Sequence, residues 1–154
     1  MTAGKTTIAN LVAARLGWRA EDVDHLIEVR ERSTVADIFA RRGEPYFRAV
    51  EREILKLLLP LRHAVIATGG GTFMDPENRQ AILMDGIVIW LDVAFEVVLS
   101  RLPPDNRRPL AADRAQMERL FAVRRAGYAL AHHRLEVGTA PAEEIAERVL
   151  EIVK

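Results

Sequence analysis

Apolar residues recur along this chain at two spacings, and the alternation between them lays out the expected elements. Ile8, Leu11, Val12 and Leu16 fall three and four apart, which predicts a helix over 6–16 with Gly17 as its stop. A short strand is expected over 18–23, although Arg19, Glu21 and Asp22 dilute its apolar character. Helices follow over 25–32, 35–42 and 45–59. Ser33 or Thr34 caps the second, Gly43 closes it, and Pro45 stands in the first turn of the third, where a missing N–H costs nothing. Residues 64–68 (Ala-Val-Ile-Ala-Thr) and 87–91 (Ile-Val-Ile-Trp-Leu) are instead unbroken apolar runs; three glycines follow the first and Asp92 the second. Runs of that kind suit strands buried on both faces of a parallel sheet. Further helices are predicted over 76–83, 95–102, 116–131 and 142–153, with a last strand over 135–137. Residues 103–113 read as a polar loop rich in proline and arginine. Strands separated by helices predict an α/β three-layer sandwich, a central parallel sheet flanked by helices. Trp18 and Trp90 are expected in its core.

Composition narrows the class. The chain has 154 residues, 49% of them hydrophobic, enough to bury the core of a single domain. Its 22 basic and 22 acidic side chains cancel, which argues against nucleic-acid and membrane-surface partners. With no cysteine, disulfides, thiol nucleophiles and cysteine-based zinc sites are excluded. No apolar stretch approaches the roughly 20 residues of a membrane span, and the start, MTAGKTT, carries no signal-peptide core. A soluble, cytoplasmic, monomeric domain is the expectation.

Chemistry concentrates at a few places. Ala3-Gly4-Lys5-Thr6-Thr7 heads the first helix and matches the second half of the phosphate-loop pattern G-x-x-x-x-G-K-[ST]. In that pattern backbone N–H groups at a helix start cradle phosphates, the lysine reaches their oxygens and the hydroxyl ligates Mg²⁺. Asp22 and Asp24 stand two apart at the end of the second segment. On an extended chain they point the same way, toward the ligand crevice of an α/β sheet; either could equally cap the next helix. Gly69-Gly70-Gly71-Thr72 follows the first apolar strand directly, and bare glycine N–H groups there admit a close ligand. Arg48 and Glu51, three apart on one helix, read alone as a surface pair. His132 and His133, near a helix end, fit the helix dipole better than a metal.

In this order the motifs resemble the shikimate kinase family: A-G-K-T-T (3–7), D-V-D (22–24), A-D-I-F-A-R-R-G-E-P-Y-F-R-A-V-E (36–51), T-G-G-G-T (68–72), R-R-P-L (107–110) and R-R-A-G-Y (124–128). The resemblance runs from Met1 to about Val137. It implies a P-loop kinase fold over 1–154, with 33–61 a substrate-binding helical region and 102–115 a lid. It also implies ATP-dependent phosphorylation of the 3-hydroxyl of shikimate, with ATP and Mg²⁺ as cofactors. Ala3, Gly4, Lys5, Thr6 and Thr7 would hold the ATP phosphates, Thr6 and Asp22 the metal, and Arg101 would lie against adenine. Asp24 would bind the shikimate hydroxyls and accept a proton; Lys5 and Arg108 would neutralise the transferring phosphoryl group. Arg48 and Arg124 would clamp the shikimate carboxylate, with Gly70 and Gly71 adding backbone donors. Glu51 would orient Arg48, and Val35, Phe39 and Phe47 would wall the ring. Two planar guanidinium forks suit a carboxylate as lysine cannot.

Two alternatives stay open at this level: a P-loop kinase for another polyol such as gluconate or for a nucleoside monophosphate, and a catalytically impaired nucleotide- or shikimate-binding remnant. Three departures from the family pattern bear on them. The motif at 124–128 reads Ala126-Gly127-Tyr128 where a P-L-Y-like ending is usual. Ala20 stands where a larger apolar residue is common. Met1 falls inside the phosphate loop, so the leading strand and first loop glycine are lacking; the expectation is a reading frame extending upstream by about 10–20 residues, as an apolar strand ending in glycine.

Overall fold

A computed structural model describes residues 4–100 and 111–153. In chain order they form α1 (Lys5–Leu16), β1 (Arg19–Asp22), α2 (Val23–Glu31), α3 (Val35–Leu58), β2 (Ala64–Ala67), a 3₁₀ turn (Thr72–Met74), α4 (Pro76–Asp85), β3 (Ile89–Asp92), α5 (Phe95–Ser100), α6 (Ala111–Tyr128), β4 (His133–Glu136) and α7 (Ala142–Val153). Strand and helix alternate as the hydrophobic pattern requires.

Local signals set most boundaries. At the end of α1 the Trp18 N–H bonds to the Ala13 carbonyl and the Gly17 N–H to the Ala14 carbonyl, the paired closure of a Schellman motif. Thr34 caps α3 by accepting from the Asp37 N–H at 3.1 Å. Gly43, at φ 83° and ψ 167°, breaks α3 into the two helical stretches expected on either side of it. Asp75 caps α4, accepting from the N–H groups of Glu77 and Asn78.

The strands pair in parallel as two couples. β1 lies beside β2 with Arg19 opposite Ala64 and Asp22 opposite Ala67, and β3 lies beside β4 with Ile89 opposite His133 and Asp92 opposite Glu136. The expected central sheet is therefore divided, among the described residues, into two pairs. With a neighbour on one side only, Val65, Ile66, Ile89 and Leu91 are half-buried instead of fully enclosed.

Alternation along β2 sends successive side chains to opposite faces. Val65 packs on a cluster built from Ile8 and Val12 of α1 and Ile145, Val149 and Leu150 of α7, which Ile89 and Leu91 of β3 also touch. One helical layer thus covers both strand pairs. Ile66 packs the other way, on Val23, Ile27, Ile38, Phe47, Val50 and Ile54 of α2 and α3. Helices on both faces make the α/β sandwich.

Several expectations need correction. The helix expected from His25 starts at Val23, because Asp22 ends β1 and caps α2; Asp24 therefore sits in a first helical turn and not on an extended strand. Helix α6 begins at Ala111, not 116, with Asp113 in its first turn favouring the helix N-terminus. Residues 111–115 of the expected lid are consequently helical, and 102–110 lie outside the described residues. Trp18 and Trp90 are half-buried: Trp18 leans on the His63 ring, and the guanidiniums of Arg125 and Arg134 stand 4.9 and 5.3 Å from the Trp90 ring centroid. His132 serves the backbone, its Nδ1 accepting from the Val88 N–H at 3.0 Å, and His133 opens β4. Among the described residues, no helix is long and apolar enough to cross a membrane.

Candidate active site

The carboxyl ends of β1 and β2 and the N-terminus of α1 meet at a cleft of about 230 Å³, lined by Gly4, Lys5, Thr6, Thr7, Asp22, Asp24 and Thr68. This is where an α/β sheet offers a ligand both strand-end side chains and free helix N–H groups. The phosphate-loop residues and both aspartates, far apart in sequence, therefore share one cavity.

Asp22 holds two elements together. Its Oδ2 accepts from the Thr6 hydroxyl at 2.5 Å and its Oδ1 from the His25 N–H at 3.0 Å, so the cap of α2 is also tied to the first turn of α1. The capping and the ligand readings of this aspartate both hold geometrically. Asp24 lies deeper, with its Oδ1 only 3.0 Å from where a Cβ on Gly69 would stand. Burial pushes its carboxyl above the ordinary range, the negative charges of Asp22 and Glu51 push the same way, and Lys5 opposes them.

Beside this cavity the Arg48 guanidinium is fixed by a buried carboxylate. Arg48 Nη1 donates to both oxygens of Glu51, at 2.9 and 3.1 Å, and its Nε reaches Glu44 at 3.5 Å. Glu51 is only 1% exposed and also accepts from the Thr72 hydroxyl at 2.8 Å. The pair that spacing alone would leave on the surface is an internal anchor. Thr72, itself fully buried, ties the anchor to the glycine loop, and Asn78 Nδ2 donates to the Thr72 carbonyl at 3.3 Å. A Cβ on Gly71 would run into the Arg48 guanidinium, so the backbone there must be bare.

Arg124 projects from α6, and its positive charge lies beside the phenol of Tyr128 one turn later. The Tyr128 hydroxyl donates to the Gly70 carbonyl. Burial raises the phenol pKa above its ordinary value, against the pull of Arg124. Of the two arginines expected to clamp an anion, Arg48 of α3 thus lies directly against the glycine loop, and Arg124 of α6 stands one turn from the tyrosine that bonds to it.

Not every expectation lands in the cleft. Phe47 is 3% exposed and belongs to the α2–α3 core; Phe39 stacks on it at 4.7 Å and is the more open of the two rings. Val35 packs against the same core. Ala3, Arg101 and Arg108 lie outside the described residues. Sequence reasoning missed Thr72, whose hydroxyl directly after a glycine run was the available signal. It also missed Asp92, a 7% exposed carboxylate at the carboxyl end of β3 that accepts from Arg125 and, at 2.7 Å, from Arg134 Nε.

The family model for shikimate kinase matches residues 1–154. A shikimate kinase from Persephonella marina is 38% identical, over 96% of this chain and 91% of its own length. One from Geobacillus thermodenitrificans is 40% identical, over 100% of this chain and 85% of its own. Among solved structures, shikimate kinase from Aquifex aeolicus superposes with a TM-score of 0.89 at 32% identity, covering 99% of this chain and 91% of that one. A structure of the Acinetobacter baumannii enzyme in complex with shikimate also gives 0.89 at 32% identity, covering 98% and 87%.

Proposed function

The chain belongs to the shikimate kinase family, and on that premise we propose how its cleft divides the work of phosphorylating shikimate. The protein is a phosphotransferase with an alcohol acceptor, and its reaction is the ATP-dependent phosphorylation of shikimate. The reading assigns the 3-hydroxyl as acceptor and shikimate 3-phosphate as product.

The N–H groups of Gly4, Lys5, Thr6 and Thr7 receive the ATP phosphates at the positive end of α1, with Lys5 adding a full charge. Ala3, Arg101 and Arg108 keep the roles the family resemblance gives them. Thr6 and Asp22 fit Mg²⁺: a hydroxyl and a carboxylate lie 2.5 Å apart beside the phosphate site. Mg²⁺ takes most of its oxygens from water and phosphate, so two side chains are enough to hold it there. Bound there, Mg²⁺ would offset charge on the phosphate oxygens.

Arg48 and Arg124 grip the shikimate carboxylate, with Gly70 and Gly71 N–H groups as further donors. That grip sets the ring so that one hydroxyl faces Asp24. The hydroxyl oxygen forms its bond to the γ-phosphorus as the bond from that phosphorus to the β,γ-bridging oxygen breaks. The hydroxyl proton passes to the Asp24 carboxylate, and ADP leaves. A carboxylate whose pKa is raised by burial takes a proton more readily than one in water. Little covalent chemistry is asked of the protein; it positions and neutralises.

The observation that carries this reading is the meeting of the α1 N-terminus and Asp24 in one cleft, with a glycine loop pressed against a buried-carboxylate-anchored arginine beside it. Calorimetric titration tests it. Arg48→Ala and Arg124→Ala should each weaken shikimate binding by about 1.5–3 kcal/mol, the range for charge-assisted hydrogen bonds, while an ATP analogue binds as before. Loss of nucleotide affinity with shikimate affinity intact would refute the assignment.

A further inference from the structure

Helix α6 ends in two unusual contacts with the loop that follows β2. Tyr128, its last residue, reaches across the fold to donate its hydroxyl proton to the Gly70 carbonyl. The preceding residue, Gly127, is buried, and a Cβ there would stand 2.6 Å from Met74 Sδ and 2.9 Å from its Cε. A glycine near a helix end costs about 1 kcal/mol against alanine, and this close approach is what it permits. Both contacts fall on the same short stretch of chain, one on the Gly70 carbonyl of the glycine loop and one on the Met74 side chain of the 3₁₀ turn after it. Arg124, four residues earlier on the same helix face, sets its positive charge beside the same phenol.

We propose that Tyr128 is a positioning residue for substrate binding: its hydroxyl bond to Gly70 ties the end of α6, one turn from Arg124, to the glycine loop, so that the side-chain and backbone donors to the shikimate carboxylate are held at a fixed spacing, with Gly127 leaving room for the Met74 side chain. This rests on the functional reading above and names how one half of its clamp is set. A half-buried tyrosine needs a partner for its hydroxyl wherever it packs. What marks this one is that its partner is the backbone of the loop expected to bind the carboxylate, while its neighbour one turn back on α6 is an expected ligand of the same group. Arginine alone, on a rotamer-rich side chain, would lose freedom on binding; held beforehand, it loses less.

Tyr128→Phe keeps the ring against Trp90, 5.9 Å away, and removes only the bridge. Steady-state kinetics should show KM for shikimate raised about three- to tenfold, the worth of one ordinary hydrogen bond, with kcat and KM for ATP near the parent values and Tm little changed. The decisive comparison is in the Arg124→Ala background, where the further loss of kcat/KM for shikimate from Tyr128→Phe should shrink by at least half. Amide hydrogen exchange of the ligand-free chain should show faster exchange at Thr72 and Met74, whose N–H groups bond to the Gly69 and Gly71 carbonyls. Additive losses in the double variant, or equal losses for both substrates, would overturn the proposal. If the parent chain did not phosphorylate shikimate, the functional reading would fall, and unchanged loop exchange in Tyr128→Phe would separately refute the latch.

Discussion

Asp24 shows at the level of one residue how function and stability pull apart. Its carboxyl is held above the ordinary range chiefly by burial, then by Asp22 and Glu51, with Lys5 opposing. A carboxyl whose pKa is higher in the folded chain than in the unfolded one stabilises the fold while protonated. That contribution is complete below the ordinary value of 3.8 and is lost as pH rises through the folded value. Asp24→Asn, permanently neutral, should therefore raise Tm at pH 7 relative to the parent, with the difference closing as pH falls below that value. The same change should lower kcat by about a hundredfold or more, the scale of a general-base contribution. A thermal scan across pH beside a kcat measurement checks both; a variant less stable at pH 7 with kcat unchanged would contradict the role. Arg48 and Arg124 differ in a related way. Removing Arg48 leaves Glu51, 1% exposed, with Thr72 still donating to it but no longer paired with that cation, so Arg48→Ala should cost roughly 3 kcal/mol of stability, near the low end for breaking a buried pair. Arg124→Ala leaves no buried charge and should cost far less. Equal denaturant midpoints for the two variants would refute that distinction.

At the level of elements, backbone signals were legible where a single residue type has a single physical use. Gly17 and Thr34 end or start their helices through their own hydrogen bonds, and Gly43 divides α3 at a φ/ψ pair that residues with a Cβ scarcely adopt. Gly43→Ala makes the point measurable. Its Cβ would meet nothing closer than Pro45 Cδ at 3.8 Å, so the cost is backbone strain alone, about 1–3 kcal/mol. It should appear as a lower urea midpoint at unchanged m-value; an unshifted midpoint would count against the described kink. Less legible were places where tertiary contact overrides local pattern. The aspartate pair looked extended because alternation was read past a cap, yet Asp22 stops β1 and starts α2. The start of α6 was hidden because Ala111, Ala112 and Asp113 follow prolines and arginines that read as loop. Glu51 looked like half of a surface pair, since nothing in an i,i+3 spacing says that the side chain faces Thr72 and the core. Tyr128 and Gly127 were visible only as a departure from a family pattern, and their use depends on Gly70 and Met74, which are distant in sequence.

At the level of the whole molecule, two apolar clusters carry the fold and the cleft sits at the strand ends they support. One cluster joins α1 to α7 and reaches both strand pairs; the other joins α2 to α3. The parts of the proposed site are divided accordingly: α1, whose start is proposed to receive phosphate, packs in the first, α2 and α3, which carry Asp24 and Arg48, in the second, and α6, which carries Arg124, reaches the glycine loop through Tyr128. A ligand that touches residues from both sides stabilises their joint arrangement, by about 2.7 kcal/mol at a hundredfold excess over its Kd. The carboxylate clamp is the feature that separates shikimate from other polyols in this account, so the most direct measurement is ATP-dependent ADP release with shikimate, its methyl ester and gluconate as competing acceptors. The account predicts turnover of shikimate, a fall in kcat/KM of at least about tenfold for the ester, which lacks the charge that Arg48 and Arg124 grip, and no productive turnover of gluconate. Ester turnover equal to that of the acid, or ADP release with gluconate but not with shikimate, would contradict it.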